Sequence, residues 1–235
     1  MTGRRLPAAR RAAEELGDVP PLVLHNGALV VEDGRVLRST PLDKEAARRA
    51  ILVGRRRGAD PVLHCGQNGE GRLVIEGVAA SNALLGTYLD RATPDVTWVA
   101  DLESELDEDP IQVMFGGLIP DMEALEAPLV EALSGAARVV RTAYPRSGLG
   151  LLDVVDPSVD KAAALAFLQS RYGVAPAATL AIGDNWNDRG MLEAAGLGLV
   201  LGNADAEMLG LGFAALPTND EDGVAVAIER HILGR

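Results

Sequence analysis

Cysteine is almost missing from this chain. Cys65 stands alone, so no intrachain disulfide can form, and a reducing cytoplasm is the expected compartment. Long apolar runs are missing too, which argues against a membrane-spanning helix. Basic residues are the minority: 22 Lys and Arg against 34 Asp and Glu leave a net charge of −12. A nucleic-acid backbone or an anionic membrane is therefore not an expected partner. A phosphate ester remains compatible where a metal and a few cations focus charge locally. The basic start at Arg4, Arg5, Arg10 and Arg11 has no apolar segment behind it and does not read as a signal peptide. There is no internal repeat and no low-complexity stretch. No Gly-x-Gly-x-x-Gly follows an early strand, which sets a dinucleotide-binding enzyme aside. Aromatics make up only 3% of 235 residues rich in Ala, Val, Leu and Gly, an ordinary α/β composition for one large domain or two small ones.

The most informative stretch is residues 179–188, Thr-Leu-Ala-Ile-Gly-Asp-Asn-Trp-Asn-Asp. Its apolar half is too short for a typical helix and predicts a strand buried on both faces, as in parallel sheets. A turn with two carboxylates follows, then a helix over residues 187–195 that stops at Gly196. Asp184 and Asp188 thus fall at the carboxyl end of a strand, where open α/β sheets place ligands. Two carboxylates there suit a hard cation such as Mg²⁺. Helix capping by Asn187 or Asp188 would explain one of these residues, but not the whole Gly-Asp-x-x-Asn-Asp cluster.

Upstream, Thr2-Gly3-Arg4 leads into a helix over residues 7–16 closed by Gly17, with Pro7 in its first turn. Residues 22–25 form a short buried strand ending in Asn26-Gly27-Ala28. Beyond Ala28 the pattern changes. Residues 28–32 and 36–40 flank Asp33-Gly34 as a hairpin. Helices are predicted over 42–57, 78–91 and 121–133, the last with Pro128 inside it, where proline kinks a helix. Strands are predicted over 61–65, 73–76, 96–100, 111–115, 137–142 and 149–155, with a turn-rich segment at 66–71. Residues 101–109 read as an acidic, solvated connector. Locally paired strands among helices indicate an inserted α+β unit. From Asp156 the crossover pattern returns, with a helix over 160–172, the strand at 179, a strand over 197–201 ending in Gly202-Asn203-Ala204, a cap at Asp205, a strand over 214–216 and a last helix over 224–233. Lys161 lies in the first turn of its helix, where the macrodipole disfavours a cation. A residue that opposes its setting marks a candidate site, although a solvated surface lysine is the ordinary alternative.

Together, Thr2-Gly3-Arg4, Asn26-Gly27-Ala28, Lys161 and the Asp184 cluster resemble the haloacid dehalogenase superfamily, in its Cof-type sugar-phosphatase branch. The resemblance implies an α/β fold, with a Rossmann-like core over 1–27 and 156–235 and an α/β cap over 28–155. It implies a Mg²⁺-dependent phosphatase for small phosphorylated metabolites. Lys161 and Thr2 would be catalytic. Thr2 would hold a phosphate oxygen through its hydroxyl and amide, helped by Gly3 and Arg4. Asn26, Lys161, Asn187 and Asn203 would line the phosphate, and Asp184 and Asp188 would serve the metal. Asn26 and Asn203 equally suit turn or cap positions.

The family's reaction also needs an aspartate nucleophile and a second aspartate two residues on, in an Asp-x-Asp-Gly-Thr loop. This sequence contains none. Asp107-Glu108-Asp109 precedes a proline, and Asp220-Glu221-Asp222-Gly223 follows Pro217-Thr218-Asn219 rather than an apolar strand. The expectation is a chain lacking the family's first strand, first helix and most of a second strand, with a start site placed too late as the leading explanation, and therefore without turnover. The alternative is a noncatalytic member that keeps a phosphate or metal site.

Overall fold

In the computed structural model, residues 1–15, 17, 20–66, 71–92 and 95–235 are described. They divide into two compact units, residues 1–159 and 160–235. The expected end of the first helix at Leu16, and the turn at residues 67–70, lie outside the described residues.

In the first unit, α1 (Leu6–Glu14) has Pro7 in its first turn and buries Leu6, Ala9 and Ala13. Leu6 and Ala9 cluster with Leu24, Leu29 and Val31 of the sheet that follows. β1 (Leu22–Leu24) pairs antiparallel with β2 (Leu29–Glu32), which pairs antiparallel with β3 (Arg35–Ser39). Asp33 and Gly34 take positive φ, as the hairpin turn requires.

α2 (Lys44–Arg56) begins at Asp43, whose side chain accepts from the Ala46 amide. Then follow β4 (Pro61–His64), β5 (Leu73–Ile75), α3 (Ala83–Asp90), β6 (Val96–Trp98), β7 (Gln112–Leu118), α4 (Ile119–Leu133), β8 (Arg138–Tyr144) and β9 (Leu149–Val155). The six strands form one sheet in the order β6-β5-β4-β7-β9-β8, antiparallel except for β5 with β6. Alternation along β4, β7 and β9 divides the core. One face carries Leu63, Val113, Phe115, Leu152 and Val154, packed with residues of α2 and α4. The other carries Val62, Ile75, Met114 and Leu151, packed with Leu85 and Leu89 of α3. Gly54 of α2 lies over Phe115: a Cβ there would sit 2.1 Å from the ring. A mid-helix glycine costs about 1 kcal/mol relative to alanine, and here the close approach requires it.

Two expectations change, at the third helix and the acidic connector, while the helix expected over 121–133 forms. The third helix starts at Ala83 rather than residue 78, because Asn82 caps it through the Leu85 amide while its Nδ2 donates to Asp60 and to the Gly116 carbonyl. α4 runs through Pro128, with Leu125 and Leu129 buried on either side of it. The acidic connector is pinned rather than merely solvated. Arg55 binds Glu76, Asp101 and Glu103, and Asp109 accepts from the Lys44 amide at 3.0 Å.

The second unit contains α5 (Lys161–Tyr172), β10 (Leu180–Gly183), α6 (Arg189–Ala194), β11 (Leu197–Leu201), α7 (Ala206–Leu209), β12 (Ala214–Leu216) and α8 (Gly223–Ile228). β10, β11 and β12 pair in parallel, the Rossmann-like pattern expected. α5 is capped by Asp160 and ends at Gly173 in the left-handed region. β10 is less buried than expected: Leu180 and Ile182 are only half-buried, packing beside Leu199, Leu201 and Leu216, while Ala181 is buried with Leu165, Met191 and Val200. The helix expected from residue 187 begins as a 3-10 turn, Trp186–Asp188, before α6. The last helix gives way after Ile228 to a wider turn over Glu229–Leu233.

Candidate functional site

The turn after β10 is organised by Asp188. Its Oδ2 accepts from the Asp184 amide at 3.1 Å and the Asn185 amide at 3.2 Å. Its Oδ1 is ion-paired with Lys161 Nζ. Both side chains are buried, Lys161 at 5% and Asp188 at 6% exposure. The position of Lys161 at a helix amino terminus, unfavourable alone, is thereby compensated by a carboxylate. Gly183 makes this packing possible, since a Cβ there would lie 2.4 Å from Asp188 Cβ.

Asp184 projects beside this pair. Its Oδ2 accepts from Asn203 Nδ2 at 3.0 Å, and Asn203 Oδ1 accepts from the Asn219 amide at 2.9 Å. Desolvation, and then the Asp188 carboxylate, raise the Asp184 pKa above its ordinary value. A cation would relieve that repulsion. Asn187 lies in the same 3-10 turn. The second unit thus brings Lys161, Asp184, Asp188, Asn187 and Asn203 into one neighbourhood at the carboxyl end of β10. Among the described residues no group of three or more His, Cys, Asp or Glu side chains is placed to hold a metal. Asp184 therefore offers one carboxylate with Asp188 behind it. That suits Mg²⁺, which keeps several waters and takes one or two carboxylates.

The first unit brings Thr2, Gly3, Arg4 and Asn26 together. The Thr2 amide donates to the Val23 carbonyl at 2.8 Å, so it is committed to the backbone rather than turned outward as expected. The Thr2 hydroxyl oxygen accepts from the Arg4 amide at 3.1 Å, which leaves its proton to donate. The Asn26 amide donates to the Thr2 carbonyl at 3.2 Å and the His25 amide to the Arg4 carbonyl at 3.3 Å. His25, Asn26 and Gly27 all have positive φ, at 50°, 58° and 112°.

Behind this turn lies a buried polar cluster that sequence reasoning missed. Asp153 of β9 accepts from Asn26 Nδ2 at 2.9 Å and from Gln112 Nε2 at 2.8 Å. His25 and His64 meet edge to face, 5.3 Å between ring centres. Burial lowers the His25 pKa to about 4 and holds His64 well below the usual range, with the Arg5 charge adding to both shifts. The available signal was Asp153 itself, the one charge in the apolar run of residues 151–155. A cavity of about 700 Å³ lies at the other end of β7, lined by Asn82, Gly117, Leu118 and Asp121 among others, and no candidate site residue lines it.

A two-carboxylate turn after a parallel strand, backed by a buried lysine, lies where open α/β sheets place their ligands. The family model for haloacid dehalogenase-like hydrolases matches residues 1–228, and the chain belongs to that family. It is 32% identical over 133 residues to 5-amino-6-(5-phospho-D-ribitylamino)uracil phosphatase YitU of Bacillus subtilis, covering 57% of this chain and 48% of that protein. The chain spans less than half the length of the first curated relatives it matches. Two solved structures share the fold. One is a haloacid dehalogenase-like hydrolase from Bacteroides thetaiotaomicron, at TM-score 0.78, 24% identity, 97% of this chain and 84% of that one. The other is a subclass IIB sugar phosphatase, at TM-score 0.79, 18% identity, 97% of this chain and 83% of that one. The family expected from the motifs is thereby established, with the Rossmann-like α/β fold. Among the described residues no helix is long and apolar enough to cross a membrane.

Proposed function

We propose that this chain carries the phosphate and cation sites of a Mg²⁺-dependent phosphatase for small phosphorylated metabolites such as sugar phosphates, in a reducing compartment such as the cytoplasm. The observation that carries the reading is the Lys161–Asp188 pair holding the Asp184 turn at the carboxyl end of β10. The names of YitU and of the sugar phosphatase support the substrate class. Lys161 is fixed by Asp188 and keeps two further ammonium protons for phosphate oxygens. In the first unit the Thr2 hydroxyl, Gly3, Arg4 and Asn26 are the proposed phosphate-orienting residues, and in the second unit Asn187 and Asn203 are the proposed phosphate-binding ones. Asp184 would hold Mg²⁺, which when bound neutralises phosphate charge. We also propose that residues 28–155 are the cap and residues 1–27 and 156–235 the core. Expressed alone, residues 28–155 should give a dispersed amide spectrum, and a collapsed one would reject that division.

The sequence contains no Asp-x-Asp-Gly-Thr, and each acidic substitute has a residue engaged in local structure. Asp109 accepts from the Lys44 amide at the start of α2, and Glu221 forms a capping box with Thr218. These engagements favour a second reading, a noncatalytic phosphate- or metal-binding member. Calorimetry with Mg²⁺ tests the shared cation site: weak binding by the 235-residue chain should disappear in Asp184→Asn, and equal binding by both would remove Asp184. Sugar-phosphate assays separate the readings, with no meaningful turnover expected from these 235 residues. Turnover abolished by Asp184→Asn would instead reveal an unrecognised nucleophile.

A further inference from the structure

We propose that Asp153 is a positioning residue for residues 2–4, acting through Asn26. This rests on the proposed phosphate-binding role of that loop and extends it to a residue on a distant strand. Asp153 is 4% exposed, and its neighbours along β9 are Leu151, Leu152, Val154 and Val155. A carboxylate in such a strand costs several kcal/mol of desolvation, about what a buried ion loses in proteins. An apolar residue would pack there at no such cost. What the carboxylate adds is orientation, because its two oxygens each accept from a side-chain amide, Asn26 on one side and Gln112 on the other. With Nδ2 drawn toward Asp153, the Asn26 Oδ1 is turned toward Gly3, 3.1 Å from where a Cβ on that glycine would stand.

Residues 2–4 hang on residues 23–26 by three backbone hydrogen bonds, two of them donated by His25 and Asn26. Those two donors sit in the left-handed region without being glycine, at about 1–2 kcal/mol for His25 and less for Asn26, whose short polar side chain tolerates it. A turn of that kind persists only when its surroundings hold it. Asp153 supplies a charge-assisted hold on the second of these residues. The chain of contacts therefore runs from β9 through Asn26 to the carbonyl of Thr2 and the face of Gly3.

The test uses the full chain, labelled with ¹⁵N, in four forms: wild type, Asp153→Asn, Gln112→Leu, and the reciprocal pair Asn26→Asp with Asp153→Asn. Amide shifts of Thr2, Gly3 and Arg4 are recorded without ligand and during titration with inorganic phosphate. Asp153→Asn should displace the three loop amides and weaken phosphate binding about tenfold, the equivalent of one lost hydrogen bond. Gln112→Leu, which removes the other partner of Asp153 and a partner of the His25 side chain, should move the loop amides less than Asp153→Asn does. The reciprocal pair restores a donor opposite an acceptor and should return the loop shifts toward wild type, a rescue that general loss of stability would not show. If Asp153→Asn does not fold, the same rescue is read from the pair. Unchanged loop amides in Asp153→Asn, equal effects of Asp153→Asn and Gln112→Leu, or an unrescued pair would each overturn the proposal. Failure of wild-type loop amides to respond to phosphate would instead reject the phosphate reading, while the ligand-free shifts still decide the role of Asp153.

Discussion

Replacing Lys161 by methionine keeps most of the side-chain volume and removes the charge, so Asp188 loses the ion-pair partner of Oδ1. With both partners at 6% exposure or less, breaking the pair falls in the buried class, where losing one partner costs about 3–5 kcal/mol. Asp188 Oδ2 keeps the amides of Asp184 and Asn185, so the carboxylate is not stranded and the expected loss is at the low end, about 3 kcal/mol. Asp188→Asn leaves the ammonium facing an amide and should cost about the same. If the two losses share one cause, the double variant should also lose about 3 kcal/mol rather than about 6, a coupling of about 3 kcal/mol. Urea unfolding read by Trp186 fluorescence in a Trp98→Phe background measures all four corners. Trp186 reports on this region because it opens the same turn, with its Nε1 donating to Asp205. A Lys161→Met loss below about 1 kcal/mol, or additive losses, would refute the reading of the pair as buried and mutually dependent.

Other perturbations test other parts of the structure. Burial depresses the His25 pKa to about 4 from an ordinary 6.5, so the unfolded chain binds more protons between those values. Stability should be full above pH 6.5 and fall as pH drops toward 4, by about 3 kcal/mol for His25 alone, as urea midpoints across that range would show. Among the described residues neither ring nitrogen of His64 has a hydrogen-bond partner, so His64→Phe should be neutral or stabilising and should flatten that acid decline; a loss above about 2 kcal/mol at pH 7 would contradict it. Gly183→Ala would drive a methyl into Asp188 and should cost about 2–3 kcal/mol by thermal unfolding, with an unchanged melting point refuting the close approach. Arg55→Met should lose about 1 kcal/mol, less in high salt, since one guanidinium serves three partly exposed carboxylates.

Much of the second unit was legible because its signals are local. The helix over 160–172, the Asp205 cap and the carboxylates after an apolar run are all read within one element. The first unit was harder because its determinants are distant in sequence. Nothing near residue 78 announces that Asn82 will be claimed by Asp60 and Gly116 and so start the helix late. The pairing of Arg55 with Glu103 crosses 48 residues, so the acidic connector looked merely solvated. Asn26 was recognised, but its partner Asp153 lies 127 residues away, and only the lone charge in an apolar strand hinted at it. Likewise, the Thr2 amide looked available until the backbone brought Val23 beside it.

The contact between Gly54 and Phe115 has a consequence for how such sequences drift. An alanine at position 54 is favoured by helix propensity but blocked by a ring that its Cβ would meet at 2.1 Å. The block lifts only if position 115 shrinks first or in the same step. Descendants of this sequence should therefore change the two positions as a pair, a larger residue on α2 appearing with a smaller one on β7. The glycine persists by virtue of a neighbour 61 residues along the chain, and it becomes free to vary once that neighbour is replaced.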